Sequence, residues 1–296
     1  MEEEPRQPAN PEIPADVLKL RRELLSLAPD RKRLAAFLAS AVAARKPAHA
    51  VSYVADEALA AHLRDASEGE TAWEAAAIHD ADAALLRAAG FAPAARLEDV
   101  PAGSADLLVV RACFEFAASP VALAKEFHRI LAPKGQLLLH VRRKRSSLLA
   151  WAREAAGLAD ATRKRAKSAF TPQEIYDILK DGFDIEDTYA QGKFFTVFCE
   201  LVASLFSGVL PETAEAAAMR PGPLKRAKAV WLAMRPFFWL AALLDAVCFW
   251  LPKHEMVFRA KRRMLWVPRL TPRLKDGRSI AEAALGSKIG TAVGQD

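Results

Sequence analysis

Glycine is scarce in this chain, with 13 among 296 residues, and none lies between Arg45 and Glu68. That interval contains "HAVSYVADEALAAHL", His49–Leu63, which reads as a strand, a short loop and the start of a helix. The loop is Ala55-Asp56-Glu57, so any ligand lying against its backbone meets side chains, which a glycine turn would have kept away. No Walker loop and no G-x-S-x-G elbow occurs elsewhere. The three cysteines, Cys113, Cys199 and Cys248, lie far apart in apolar runs, which excludes a disulfide framework and a CxxC zinc site. They read as three buried thiols. His49, His62, His79, His128, His140 and His254 form no i,i+4 pair, so no metal site is expected. Nor is there a long uncharged apolar run. Within Ala229–Leu251 the longest is Pro236–Leu244, against the roughly 20 residues a membrane span needs. A single bitopic anchor is thereby excluded.

What the chain does have is hydrophobicity, 52% of residues, and a net charge of +6. Alanine-rich helices account for much of the first. The second suits an anionic lipid surface, an acidic protein partner or a nucleic acid. The opening "MEEEPRQPANPEIP" is acidic and proline-rich, resembling neither a signal peptide nor an arginine-rich transit peptide. Residues 1–14 read as a flexible arm and 15–48 as two amphipathic helices divided at Pro29-Asp30. Residues 49–193 alternate strand-like and helix-like pieces: Ala50–Val54, Glu57–Asp65, Trp73–Asp80, Ala81–Ala89, the buried runs Ala105–Val110 and Gln136–Val141, and a helix over Pro120–Leu131 between them. A basic helix is expected over Ser146–Lys167, then a helix capped by Thr171 and ended by Gly182. Strand–helix–strand at this spacing predicts right-handed crossovers and a doubly wound, mostly parallel sheet. Residues 194–253 form an apolar helical insertion, 254–263 a last strand and 264–296 an extended tail.

Leu97–Val141, "LEDVPAGSADLLVVRACFEFAASPVALAKEFHRILAPKGQLLLHV", resembles the class I S-adenosylmethionine-dependent methyltransferases, in the branch acting on quinones, lipids and small molecules. The matching pieces are the acidic turn Glu98-Asp99, the strand entered at Asp106, the helix ending "HRILAPKG" and the strand after it. "FTPQEIYDILKDGFDIED" and "EMVFRAKRR" resemble later elements of the same fold. The resemblance implies an α/β fold with cofactor contacts from Asp80 to ribose and from Asp99 on the adenine side. It also implies a glycine loop where Ala55-Asp56-Glu57 stands, and in many relatives a histidine where Phe116 stands. Two carboxylates in that loop would repel the methionyl carboxylate, so the expectation is a pseudo-methyltransferase with no catalytic residues and no cofactor. The alternative is an active S-adenosylmethionine-dependent enzyme for a quinone- or lipid-like acceptor.

The basic segments are Arg142-Arg143-Lys144-Arg145 and Lys261-Arg262-Arg263, with Arg163–Lys167 between them. They lack interleaved stacking aromatics, so nucleic acid is not an expected partner. They lie near apolar segments, which favours anionic head groups. In the insertion, Trp231, Phe237, Phe238, Trp239, Phe249 and Trp250 are expected to contact membrane or partner, with Arg235 and Asp245 sharing a polar edge. A helical lid on the protein's own sheet is the plainer reading. The function expected is a peripheral or monotopic accessory subunit of a membrane complex, possibly energy-transducing. Its place would be the inner or cytoplasmic membrane face or the mitochondrial inner membrane, and it would not be secreted.

Overall fold

The computed structural model describes residues 13–267 apart from 55, 68, 79, 92–94, 145–166, 168, 210–219 and 252. Residues 146–166 of the expected helix, residues 1–12 of the arm 1–14 and most of the tail lie outside the described residues. A seven-stranded sheet in the order β3-β2-β1-β4-β5-β7-β6 forms the centre. Its strands are β1 His49–Val54, β2 Ala72–Ala77, β3 Ala95–Arg96, β4 Ala105–Arg111, β5 Leu131–Arg142, β6 Phe183–Gln191 and β7 Glu255–Arg262. The first five run parallel, and β7 is inserted antiparallel between β5 and β6. The doubly wound reading of the sequence therefore holds.

The central strands alternate side chains between two cores. Leu108 and Val110 of β4 face Phe127 and Ile130, whereas Leu107 and Val109 face Leu38, Leu59 and Leu63. The helices supplying these layers are α1 Ala15–Leu27, α2 Pro29–Arg45, α3 Glu57–Ala66, α4 Asp80–Ala88, α5 Pro120–Ile130 and α6 Pro172–Leu179. Pro29 opens α2 one residue after α1 stops, because its missing N–H costs nothing at a helix start. At α6, Thr171 and Glu174 form a reciprocal capping box. Asp80 opens α4, although the sequence pattern had placed it at the end of the preceding strand. Gly90, at φ +82°, turns the chain out of α4 in a left-handed conformation. Gly182 is needed for another reason: a Cβ there would lie 2.2 Å from the Trp266 ring.

A third core joins the N-terminal helices to the insertion, which comprises α7 Phe194–Ser207, α8 Pro221–Ala233 and α9 Arg235–Val247. Val17, Leu20 and Leu24 of α1 pack there with Ala203, Leu224, Trp231 and Phe238. The apolar segment Ala229–Leu251 is divided, with α8 and α9 meeting at a bend of 53°. No single described helix is long and apolar enough to cross a membrane, although the bent pair passes that test together by length and composition.

Candidate functional site

In an open α/β sheet, ligands gather at the carboxyl ends of the strands. Here Asp56 follows β1, Asp80 follows β2, Asp99 follows β3 and Arg111 ends β4. Asp56 caps α3, accepting from the Leu59 N–H at 3.4 Å. The same carboxylate receives Arg31 from α2 and, at 3.3 Å, Arg111 Nη1 from across the sheet. Beside it, Glu57 forms a two-pronged pair with Arg21 of α1, including Nη2–Oε2 at 2.7 Å. All five side chains are buried. Burial raises the Asp56 carboxyl, but Arg31, Arg111 and Arg21 outweigh it and hold the pKa below the ordinary aspartate value.

The repulsion expected from Asp56 and Glu57 is therefore corrected. Arg21, Arg31 and Arg111 pair with these two carboxylates, so neither acid stands as an uncompensated negative charge in the loop. Sequence reasoning missed Arg21 and Arg31. A signal was present: Arg21 stands four residues after Val17, on the stripe that α1 buries. An arginine on a buried stripe requires a buried anion.

After β4 the chain enters "ACFEF" through Ala112, whose φ of 52° is left-handed and costly for a residue with a Cβ. The Ala112 N–H donates to the His140 carbonyl at 3.1 Å, which holds the turn. Cys113 is buried, and burial pushes its thiol up. Glu115 is also buried, with Oε1 accepting from the Arg142 N–H at 3.1 Å. At the end of β5, His140 Nε2 lies 3.1 Å from Glu255 Oε2. Burial opposes the Glu255 charge, yet His140, then Arg111 and Arg142, bring its pKa down to about 2.

The remaining expected site residues divide. Asp99 is exposed in a short 3-10 turn and accepts from the Arg96 N–H at 3.2 Å. The Asp80 backbone opens α4 beside it along the same sheet edge. Trp231 and Phe238 are corrected: they are 2% and 5% exposed, with rings 5.5 Å apart against α1, and cannot reach a partner. Phe237, Trp239, Phe249 and Trp250 do face outward, Trp239 at 73% and Phe249 at 79%. The polar edge proposed for Arg235 and Asp245 is also corrected. Arg235 is exposed, but Asp245 is buried and caps α7, accepting from the N–H groups of Phe195 and Thr196 at 2.9 and 3.0 Å. The basic segments do not form one surface. Arg142, Arg143 and Lys144 sit at the carboxyl end of β5, whereas Lys261, Arg262 and Arg263 lie at the opposite end of the sheet. There Arg262 is tied to the Leu131 carbonyl at 2.6 Å. Arg145 lies outside the described residues.

A family model described as "Methyltransferase domain" matches residues 28–187. No curated protein matches the sequence. Among solved structures, the chain is similar to the cyclopropane synthase MmaA2 of Mycobacterium tuberculosis, at 13% identity over 87% of this chain and 100% of that one, with a TM-score of 0.49. The N-methyltransferase NodS of Bradyrhizobium japonicum WM9, in complex with S-adenosyl-l-homocysteine, is 10% identical over 85% and 100% of the two chains, with a TM-score of 0.46. An S-adenosylmethionine-dependent methyltransferase of Mesorhizobium loti is 16% identical over 72% and 90%, with a TM-score of 0.42. The family match overturns the expectation of no cofactor, because a methyltransferase domain is built around S-adenosylmethionine. The edge fits that ligand unevenly. On the nucleoside side, Asp99 is exposed and open to polar contacts. On the amino-acid side, the Arg111–Asp56 pair bridges the gap between β1 and β4.

Proposed function

Because the chain belongs to the methyltransferase-domain family, we propose that it is an S-adenosyl-nucleoside-binding member serving as a non-catalytic, peripheral accessory subunit of a membrane-bound complex. The observation that carries this reading is the exposed aromatic face of the insertion. Phe206, Phe237, Trp239, Phe249 and Trp250 all stand mostly in solvent on a domain whose cores are otherwise closed. Burying one such side chain is worth about 1.5–3 kcal/mol, so a surface of this kind is stabilised by whatever covers it. A complex at the inner face of a bacterial or mitochondrial membrane offers such a cover. The bridge from Arg111 to Asp56 and the commitment of Glu115 to the Arg142 backbone support a binding role over turnover.

The active-enzyme reading draws on the family match and is separated from this one by two assays. The first is native electrophoresis of gently solubilised membranes, probing for the protein. It is expected in a high-mass band, and W239S/W250S is expected to release it as a folded monomer. The second is transfer of labelled methyl groups from S-adenosylmethionine to a quinone or lipid extract, where no transfer is expected. A protein that migrates alone in every extract and methylates such an acceptor would sink the accessory reading.

A further inference from the structure

A cavity of about 350 Å³ opens where the insertion leaves and rejoins the sheet, lined by Lys193, Phe194, Asp245, Cys248, Phe249 and Lys253 among others. Its acid is already committed. Asp245 is occupied by the Phe195 and Thr196 N–H groups and by the Thr196 hydroxyl at 2.6 Å. Its two lysines are not: neither ammonium group has a hydrogen bond or ion pair among the described residues. A third source of cationic charge stands close by, since the Arg143 N–H donates to the His254 carbonyl at 2.9 Å and brings Arg143-Lys144 beside Lys253. On the outer side the cavity wall is Phe249, with Val247 and Trp250 also mostly exposed. A polar cationic pocket thus opens onto an aromatic and aliphatic surface.

From this juxtaposition we infer that the Lys193–Lys253 cavity receives the phosphate of an anionic phospholipid, with the lipid's chains lying along Phe249, Trp250 and the outer face of α9. The lining favours a phosphate, because two lysines line the cavity and its one lining carboxylate, Asp245, is turned to the start of α7. The apolar rim selects a lipid over a free phosphate, which would leave Phe249 and Trp250 in water. The inference rests on the proposed place at a membrane surface and assigns lipid, beside the complex, as the cover of Phe249 and Trp250.

The test is sedimentation of the full chain with vesicles of phosphatidylcholine alone and vesicles containing phosphatidylglycerol. A juxtamembrane lysine contributes about five-fold to anionic-surface binding, so the pair is expected to give a preference on the order of ten-fold or more. K193Q/K253Q is expected to lose that preference while keeping its binding to neutral vesicles and its melting temperature. W239S/W250S is expected to bind both vesicles less. If K193Q/K253Q keeps the full anionic preference, the cavity is not the headgroup site. If wild type binds both vesicles equally, the headgroup site fails while membrane docking stands. If it binds neither, docking fails and the inference falls with it. Calorimetry with glycerol phosphate provides the remaining arm: binding of that soluble headgroup without any vesicle preference would assign the cavity to a free phosphate ester and overturn the lipid reading.

Discussion

Replacing Arg21 with methionine removes a buried cation while keeping much of the side chain's length. In the folded protein this leaves Glu57 buried under α1 with neither of its two guanidinium hydrogen bonds. Breaking a buried ion pair from one side costs about 3–5 kcal/mol, because the remaining charge is neither paired nor solvated. R21M is therefore expected to lose about that much stability. Removing both partners in R21M/E57L is expected to recover most of it, since well-packed apolar replacements for a buried pair are close to neutral. Urea unfolding followed by tryptophan fluorescence measures wild type, R21M, E57L and R21M/E57L, and the coupling follows from the double-mutant cycle. A loss below about 1 kcal/mol for R21M would match a solvent-exposed pair and refute the buried pairing of Arg21 with Glu57. So would a double variant whose loss equals the sum of the two single losses.

Asp30 is buried between Glu255 and Glu200, and its pKa is raised to about 9, first by burial and then by those two carboxylates. Its folded pKa is above the unfolded one, so its contribution is fully present below about pH 4 and is lost as pH rises toward 9, by about 1.4 kcal/mol per unit. D30N is expected to raise the urea midpoint at pH 8 and leave it unchanged at pH 4; equal midpoints at pH 8 would count against the burial. D245A strips the cap from α7 and is expected to cost about 1–2 kcal/mol, read as a lower melting temperature with increased hydrogen exchange at Phe195 and Thr196. A112G relaxes the left-handed residue after β4 and is expected to stabilise by about 0.5–1 kcal/mol. A destabilised A112G would mean that the Ala112 methyl packs more favourably than its backbone is strained.

Much of the sheet was legible in the sequence because its strands are buried on both faces and read as unbroken apolar runs, as in "DLLVV" and "QLLLHV". Helix ends were legible where a residue has one strong local role, as with Pro29, Thr171 and Pro172. β3 was not, since two residues carry no periodicity. The orientation of the insertion was only half legible. Apolar composition marks a surface that must be covered, but the cover differs: α1 for Trp231 and Phe238, and solvent for Trp239 and Phe249.

The loop after β1 shows the same division. The sequence by itself determined that it has no glycine and two acids, because identity and spacing are local facts. It also determined the doubly wound sheet, through strand patterns that each segment carries alone. Only the tertiary structure decided what those acids do. Charge acts through space, and the arginines that neutralise them come from α1, α2 and the end of β4, distant in sequence and joined only when the sheet closes. The cationic cavity was likewise decided there, because Lys193 and Lys253 flank the whole insertion in the chain and meet only when its two ends return to the same edge.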